Sequence, residues 1–390
     1  MTIILFCSEN IVAMSCQMTS WRLLLWSAST VVTIKMILSA SNSSPCASLR
    51  QEDILDTREN YSEYSGTNRT CEPFLEDVYN DPTVVTVFKT LAFLLIISVS
   101  LLCNSLVIIV ARISQRMQNS TNHFIINMAF SDLLMTMVCM PPAVHSVIVG
   151  PARMDFHGAL GIVVCKLITF LQGVSVAVSV LTLLAISLDR FLAIVFPFAH
   201  FVNLKVSHII IGVIWFVSMA ITSPLLYSVT LYDSDGETEC TEEWGPLFSD
   251  HAYNDYSLVV FFCLYVFPLT GIAVLYAMIA WQLWRRKPQH IYEQSTRKEN
   301  KAVISMLVAV VVGFCLCWLP FQIRFVFPWI YQRDYSGSLR FAGLFLGYSN
   351  SAVNPVILII FSKNYRQGIK NIFLCCPSPT MRVTPTVMLS

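Results

Sequence analysis

The sequence predicts an all-α membrane protein, a seven-transmembrane helix bundle followed by a short amphipathic eighth helix. Of its 390 residues, 55% are hydrophobic and only 13% are charged, far from the balance of a soluble domain. Seven apolar runs are each long enough to span a bilayer with some tilt. They lie near residues 84–112, 121–149, 162–195, 205–229, 255–284, 299–330 and 338–361.

The distribution of basic residues indicates which ends of these spans face the cytoplasm. Six basic residues crowd the loop from Arg285 to Lys301, whereas no Lys or Arg lies between Lys205 and Arg285. By the positive-inside rule this loop is cytoplasmic, so we expect a multi-pass plasma-membrane protein with an extracellular N-terminus. The expected organisation is a leader at 1–40, an extracellular segment at 41–83, the bundle at 84–361, a membrane-surface helix at 362–374 and a cytoplasmic tail at 375–390.

The segments flanking the bundle carry candidate modification sites. Three sequons, at Asn42, Asn60 and Asn68, precede the first span, and we expect them to be glycosylated. Cys375 and Cys376 follow the amphipathic helix and are placed for palmitoylation.

The first 40 residues allow several interpretations. Residues 21–40 have an arginine, an apolar run and small residues at the end, as a signal peptide does, although Lys35 interrupts the run. An uncleaved leader and a true start at Met18 are the alternatives.

Two cysteines outside the lipid core are candidates for a disulfide. Cys165 lies at the outer end of the third span and Cys240 in the acidic loop between the fourth and fifth. These two can pair in an oxidising compartment, which would tie the loop over the mouth of the bundle. Cys46 and Cys71 allow a second bridge near the N-terminus.

The third span carries a polar stripe. Cys165, Gln172, Ser179 and Arg190 fall within about 40° of one another on a helical wheel. Polar groups at membrane depth normally face a bundle interior or a water-filled cavity, so this stripe indicates a functional interior.

A carboxylate lies near the middle of the second span. Asp132 is the only charge between Arg116 and Arg153. Polar side chains at comparable depth on other spans are Asn104, Ser179, Asn350, Ser351 and Asn354. Such a ring of oxygens suits a small hard cation such as sodium, and it equally suits a network of hydrogen bonds between helices.

Motifs in seven spans together resemble the rhodopsin-like (class A) G protein-coupled receptors, from about Leu91 to Cys376. The residues that carry the resemblance are Asn104 in CNSLVI, Asp132 in NMAFSD, Cys165, Asp189 and Arg190 in LDRF, Trp215, Pro224, Pro268, FCLCWLP with Phe314, Trp318 and Pro320, and NSAVNP with Asn350, Asn354 and Pro355. In this family a sodium pocket is formed at the positions of Asp132, Asn104, Ser179, Trp318, Asn350, Ser351 and Asn354. The resemblance therefore favours the sodium interpretation, and we expect no other cofactor.

The resemblance also assigns a switch. Asp189 would restrain Arg190 at rest and release it towards a G protein when the sixth helix swings outwards. Pro320 would bend that helix below the ligand, with Phe314 and Trp318 packed beneath. Pro268 and Tyr276 belong to the same switch. Phe198 would be the apolar side chain offered to the G protein, or else an interfacial aromatic.

Three positions depart from the family pattern. Leu358 replaces the tyrosine that would bond Tyr276 through water, and Phe191 replaces the tyrosine after Arg190. We therefore expect a less stabilised active state, or one that is reached through other contacts. Asn300 stands where an acid often locks Arg190, which makes a strong resting ionic lock doubtful.

The ligand class follows from the third and seventh spans. Gln172 occupies the position of the amine receptors' aspartate, and no lysine lies between Arg340 and Lys363 for an opsin Schiff base. The chain most resembles neuropeptide receptors of the orexin, neuropeptide FF, neuropeptide Y and RFamide type. Gln172 can bind an amidated peptide terminus, with Gln322 and Tyr348 as further ligand contacts.

An acidic segment, ECTEEW, lies beside Cys240. Glu239, Glu242 and Glu243 are expected to bind an arginine of the peptide, the alternative being a solvated acidic surface. Trp244 is a further expected ligand contact. Arg324 either pairs with an acid or reaches the headgroups.

Other function classes fit less well. A scaffold with the receptor fold is the main alternative because of Leu358 and Phe191, and a transporter is disfavoured by the odd number of spans without repeats. No nucleophile–base set indicates an enzyme. The expected partners are an extracellular peptide, a heterotrimeric G protein, arrestin and membrane lipid, with no nucleic acid.

Overall fold

The computed structural model describes the backbone of residues 83–114, 117–150, 153–154, 156–196, 202–234, 237–249, 251–285, 291–326 and 338–374. At 153, 233–234, 237, 291–299, 324–326, 338–339 and 373–374 only the backbone is described. The chain divides into two units, and nearly all of the described residues belong to the unit formed by residues 81–329 and 343–390. The leader, the sequons, Cys46, Cys71, Phe198, Cys375, Cys376 and the side chain of Arg324 lie outside the described part.

Helices dominate the fold, as predicted. Within the described ranges, seven of them are long and apolar enough to cross a membrane. They are α1 (Thr83–Ile113), α2 (Ser120–Val149), α3 (Gly158–Val195), α4 (Leu204–Thr222), α5 (Ala252–Arg285), α6 (Ile291–Val326) and α7 (Ser338–Phe361), and the short α8 (Lys363–Leu374) follows.

Asparagine side chains begin two of the helices. Asn119 accepts a hydrogen bond from the backbone N–H of Asn122 at 3.0 Å, and Asn203 accepts from Val206 at 3.0 Å. Each amide oxygen thereby satisfies one of the donors that a helix leaves unpaired in its first turn. These caps fix the inner ends of α2 and α4.

Prolines shape the interiors and ends of the spans. A π-helical turn at Met135–Cys139 comes just before Pro141 and Pro142, and another at Phe262–Val266 comes just before Pro268. Proline lacks the N–H that a regular helix needs, so the preceding turn widens to accommodate the unpaired carbonyls.

Two of the predicted helix bounds were wrong. The fourth helix stops at Thr222 instead of continuing to 229, because Pro224 interrupts it, and only a short turn, Leu225–Ser228, follows. The sixth begins at Ile291, within the predicted 285–301 loop, so part of that loop is helical.

A small sheet, which the sequence did not predict, covers the outer end of α3. Its strands are β1 (Arg153–Met154), β2 (Val229–Ser234) and β3 (Glu237–Glu242), all antiparallel in the order β1-β3-β2. Leu231 and Cys240 are opposite each other in the β2–β3 pair. The acidic loop is therefore a hairpin with a fixed register.

Helix α8 is attached to the inner ends of α1 and α2. Tyr365 is buried, and its hydroxyl donates to Asn122 Oδ1 at 3.2 Å. Burial raises the pKa of Tyr365 well above its ordinary value, so the phenol keeps the proton that it donates. Gly368 lies so close to Val110 that a Cβ there would clash with Val110 Cγ1.

Candidate functional site

The outer mouth of the bundle is closed over by the hairpin. The disulfide Cys165–Cys240 is present, with Cα atoms 5.8 Å apart, which confirms this pairing. Next to it Lys166 Nζ donates to the carbonyl of Leu226 at 2.7 Å. Gly161 admits the loop because a Cβ there would lie 2.7 Å from Leu231 Cδ2. The hairpin and the turn that precedes it are thus both fastened to α3.

Below the hairpin, the structure brings two predicted ligand residues together. The Tyr348 hydroxyl of α7 donates to Gln172 Oε1 of α3 at 3.0 Å. Phe93 of α1 packs edge-on against Tyr348, with ring centroids 6.1 Å apart, and fixes the phenol. Gln322 of α6 is buried within the bundle. The hydrogen bond from Tyr348 therefore sets the orientation of the side-chain amide of Gln172.

Trp244, predicted to contact ligand, packs against protein. Only 8% of its surface is exposed, its ring lies 5.1 Å from Tyr256 and 5.8 Å from Phe248, and its Nε1 donates to Glu242 at 2.9 Å. The side chain of Glu243 is exposed and that of Glu239 is half-buried. Their predicted contacts with a peptide stay predictions, and Glu243 is the more accessible.

The polar groups at membrane depth form a connected interior. Asn354 Nδ2 donates to Asp132 Oδ2 at 3.2 Å, linking α7 to α2. Asn104 Nδ2 donates to the carbonyl of Ser351 at 2.9 Å and so links α1 to α7. All seven residues predicted for the sodium pocket are buried. The helices therefore meet around Asp132, as the sequence suggested.

A cluster of serine hydroxyls lies beside the polar groups around Asp132, and it was not identified as a cluster from the sequence. Ser131 donates to the carbonyl of Ser175 at 2.9 Å, and Ser179 donates to Ser131 Oγ at 3.4 Å. Ser175 and Ser179, four residues apart, face α2 together, a spacing that was visible in the sequence. Ser179 thus makes its hydrogen bond to this cluster between α2 and α3.

Three buried polar atoms in this interior lack a hydrogen-bond partner among the described residues. They are Trp318 Nε1, Asn350 Oδ1 and Asn354 Oδ1. Buried polar groups are nearly always satisfied by protein, water or an ion. The two unsatisfied amide oxygens are on α7, the helix that bonds Asp132. A small cation with water ligands would satisfy both of them.

The predicted switch residues of α6 pack as an aromatic column. Trp318 lies 6.3 Å from Phe314 and 5.7 Å from Phe321 between ring centroids. Gly347 of α7 faces this column, where a Cβ would approach Trp318 Cζ3 to 3.1 Å. Beside Pro320, Tyr265 of α5 donates to the carbonyl of Cys315 at 3.0 Å. Contacts from α5 and α7 thus pack against α6 close to Pro320.

At the inner end, Arg190 is held by a triad. Asp189 Oδ2 accepts from Arg190 at 2.8 Å and from the Thr121 hydroxyl of α2 at 2.5 Å. Arg190 also donates to the same Thr121 oxygen. Thr121 was not predicted as a site residue, and among the described residues no hydrogen bond joins Arg190 to Asn300.

Two of the three departures from the family pattern, Leu358 and Phe191, lie among packed side chains. Leu358 is buried, and Phe191 packs edge-on against Phe196 at 6.3 Å between ring centroids. The Tyr276 hydroxyl accepts a hydrogen bond from Ser187 of α3 at 3.0 Å. In this arrangement Tyr276 is therefore engaged with α3.

Comparison with known proteins decides the family. The family described as "7 transmembrane receptor (rhodopsin family)" matches residues 103–358. The chain belongs to the rhodopsin family of seven-transmembrane receptors. Rhodopsin-family membership agrees with the bundle, with the disulfide between α3 and the outer loop, and with a multi-pass protein of the plasma membrane.

Several peptide receptors of the rhodopsin family are similar to the chain. A QRFP-like peptide receptor of Branchiostoma floridae is 31% identical over 75% of this chain and 78% of its own length. A substance-P receptor of Aquarana catesbeiana is 30% identical over 74% of this chain and 71% of its own. Neuropeptide FF receptor 2 of Mus musculus is 30% identical over 80% and 78%.

Proposed function

We propose that this protein is a receptor for an extracellular neuropeptide with an amidated C-terminus, and that peptide binding activates a heterotrimeric G protein. The observation that carries the proposal is the Tyr348–Gln172 hydrogen bond beneath the disulfide-fastened hairpin. The names of the similar proteins, which include QRFP-like peptide and neuropeptide FF receptors, support the peptide class.

The orientation of Gln172 suits an amide terminus. Because Tyr348 donates to Gln172 Oε1, the Nε2 protons of Gln172 remain to donate to a carbonyl oxygen of the ligand. The second lone pair of Oε1 can accept from the ligand's NH2 group. An acid terminus would bring an uncompensated charge next to a neutral amide in a largely apolar setting, which costs free energy.

Signal transfer to the inside would act through the triad of Thr121, Asp189 and Arg190. An agonist that favours the outward position of α6 releases Arg190 towards the G protein, and arrestin would bind the same opened face. We place the N-terminus and its glycans outside and the palmitoylated tail inside, with α8 on the inner leaflet.

Asp132 would hold a sodium ion that favours the resting arrangement. The unsatisfied oxygens of Asn350 and Asn354 support this, since hard cations prefer oxygen ligands. When bound, the ion supplies a counter-charge to the buried carboxylate.

Replacing sodium chloride by N-methylglucamine chloride at equal ionic strength should raise agonist affinity of the wild type and leave Asp132→Asn unaffected. A wild-type affinity that does not respond to sodium would favour a purely structural network.

The second candidate is a receptor-fold scaffold that binds peptide without G protein coupling. The observation that favours it is Leu358, a buried residue that cannot make the water-mediated bond of the family's tyrosine. The two functions differ in signalling and not in binding.

A peptide screen in transfected cells separates these functions. Cells that express the chain are exposed to amidated peptides, and calcium, cyclic AMP and arrestin recruitment are recorded. Arg190→Ala is the matched control, which should keep peptide binding and lose the G protein response. Binding with no second-messenger or arrestin response in the wild type would establish the scaffold. No binding by any amidated peptide would overturn the ligand class.

A further inference from the structure

The outer loop carries an exposed apolar tip, residues 245–248, that the peptide mechanism does not use. Leu247 is 75% exposed and Phe248 is 50% exposed. Gly245 and Pro246 are exposed beside them, and none of the four residues is charged. Large apolar side chains that project together from a loop mark a contact with a partner or with a membrane.

The tip is held in place by α5 and by the turn after α4. The Tyr227 hydroxyl donates to the carbonyl of Gly245 at 3.4 Å and accepts from the N–H of Leu247 at 3.4 Å. Its ring packs edge-on against Phe248, with centroids 5.4 Å apart. Trp244, at the root of the tip, packs on Tyr256 of α5. The apolar side chains therefore have a fixed position against the bundle.

On α4 the tip continues the surface that faces lipid. Phe216 and Met219 are exposed one turn apart, and Tyr227 is exposed in the turn after the helix, while the opposite side of α4 is buried at Ile214, Ser218 and Thr222. Because α4 crosses the membrane, its exposed apolar side lies against lipid tails. The tip packs on Tyr227, where that side ends.

An aromatic residue near the outer end of α5 lies at the same level as the tip. Leu258, Val259 and Phe262 are exposed along α5, and Tyr256 lies just above them, with its hydroxyl donating to the carbonyl of Ile221 at 3.2 Å. Tyrosine and tryptophan concentrate where the hydrocarbon meets the headgroups. The tip thus lies beside the outer ends of two spans, at the level of their aromatic residues.

We propose that residues 245–248 insert into the outer leaflet at the boundary between headgroups and acyl chains, and so anchor the disulfide-bonded hairpin to the bilayer. The partner is the phospholipid surface itself. Apolar burial drives the contact, since residues 245–248 carry no charge and the ammonium of the nearby Lys166 is bonded to the carbonyl of Leu226. Glu242 and Glu243, which precede the tip, remain on the water side.

Tryptophan quenching in nanodiscs tests this insertion. The variants are Leu247→Trp at the tip and Tyr232→Trp as the matched control, since Tyr232 is equally an exposed residue of the same loop but lies on β2. Each is compared with the parent, whose eight native tryptophans are subtracted, in phosphatidylcholine discs with and without bromine near the top of the acyl chains. The added indole of Leu247→Trp should be quenched clearly by the brominated lipid, and that of the control very little. Equal, weak quenching of both variants would overturn the proposal.

Photo-crosslinking identifies the partner and does not depend on fluorescence. A benzophenone amino acid in place of Leu247 should form adducts with phospholipid in the whole receptor. Adducts only with a second copy of the receptor, or only with added peptide, would each contradict lipid insertion. Thermal unfolding of every variant in detergent checks that it is folded, and Leu247 tolerates replacement because most of its side chain is exposed.

Discussion

Replacing Thr121 with valine should raise signalling in the absence of agonist. Thr121 donates to Asp189 Oδ2 at 2.5 Å and accepts from Arg190, so its hydroxyl completes the resting triad. Valine has nearly the same shape and lacks the hydroxyl, so the change removes these hydrogen bonds with little repacking. Thr121→Ser is the matched control because it keeps the hydroxyl.

The size of the expected rise in basal signalling follows from the charges of Asp189 and Arg190, which the Thr121 hydroxyl contacts. A hydrogen bond to a charged group contributes about 1.5–3 kcal/mol, and each 1.4 kcal/mol changes an equilibrium about tenfold. If the active arrangement lacks these bonds, the active-to-resting ratio should rise about 10- to 100-fold. A resting population of active receptor of about 1% would then become roughly a tenth to a half of the total.

Constitutive G protein activation, normalised to surface expression, measures this shift. We predict high basal activity for Thr121→Val and wild-type activity for Thr121→Ser. Wild-type basal activity in a well-expressed Thr121→Val variant would refute this, because the triad would then not restrain Arg190.

Three further changes test other parts of the structure. Cys240→Ser frees the hairpin from α3 and, since a disulfide typically contributes about 2–4 kcal/mol, should lower the melting temperature and weaken peptide binding; unchanged binding would show that the lid is dispensable. Tyr365→Phe and Asn122→Leu each remove the hydrogen bond between α8 and α2, and a double-mutant cycle on thermal stability should give a coupling of about 0.5–1.5 kcal/mol, whereas additive effects would exclude a direct bond. Leu358→Tyr restores the hydroxyl that can reach Tyr276 through water and should increase agonist-driven signalling; an unchanged maximal response would mean that the active state relies on other contacts.

The spans were predictable because long apolar runs have few alternatives in a membrane. The polar interior around Asp132 was predictable for the same reason, since polar groups at that depth must meet one another. The hairpin was missed because both strands are short and β3 is acidic, and because Cys240 of β3 is fixed by its bridge to Cys165 of α3. Strand pairing of this kind is set by tertiary contacts and has little local signal.

Specific side-chain partners were the least predictable. Thr121 and Asp189 are 68 residues apart, and a threonine in the first turn of α2 looks like an ordinary helix start. The packing of Trp244, whose ring is enclosed by Tyr256 and Phe248, could not be predicted, and its contact with ligand stays a prediction. Such enclosure depends on where α5 begins, which periodicity fixes only to within a few residues.

The most direct test of the proposed function compares the amidated and acid forms of one activating peptide on cells expressing the receptor. We predict that the acid form is about 10- to 100-fold less potent, the equivalent of losing about 1–3 kcal/mol of polar contact at Gln172, and that Gln172→Leu removes most of this difference. Equal potency of the two forms on the wild-type receptor would contradict the assignment of Gln172 to an amidated terminus.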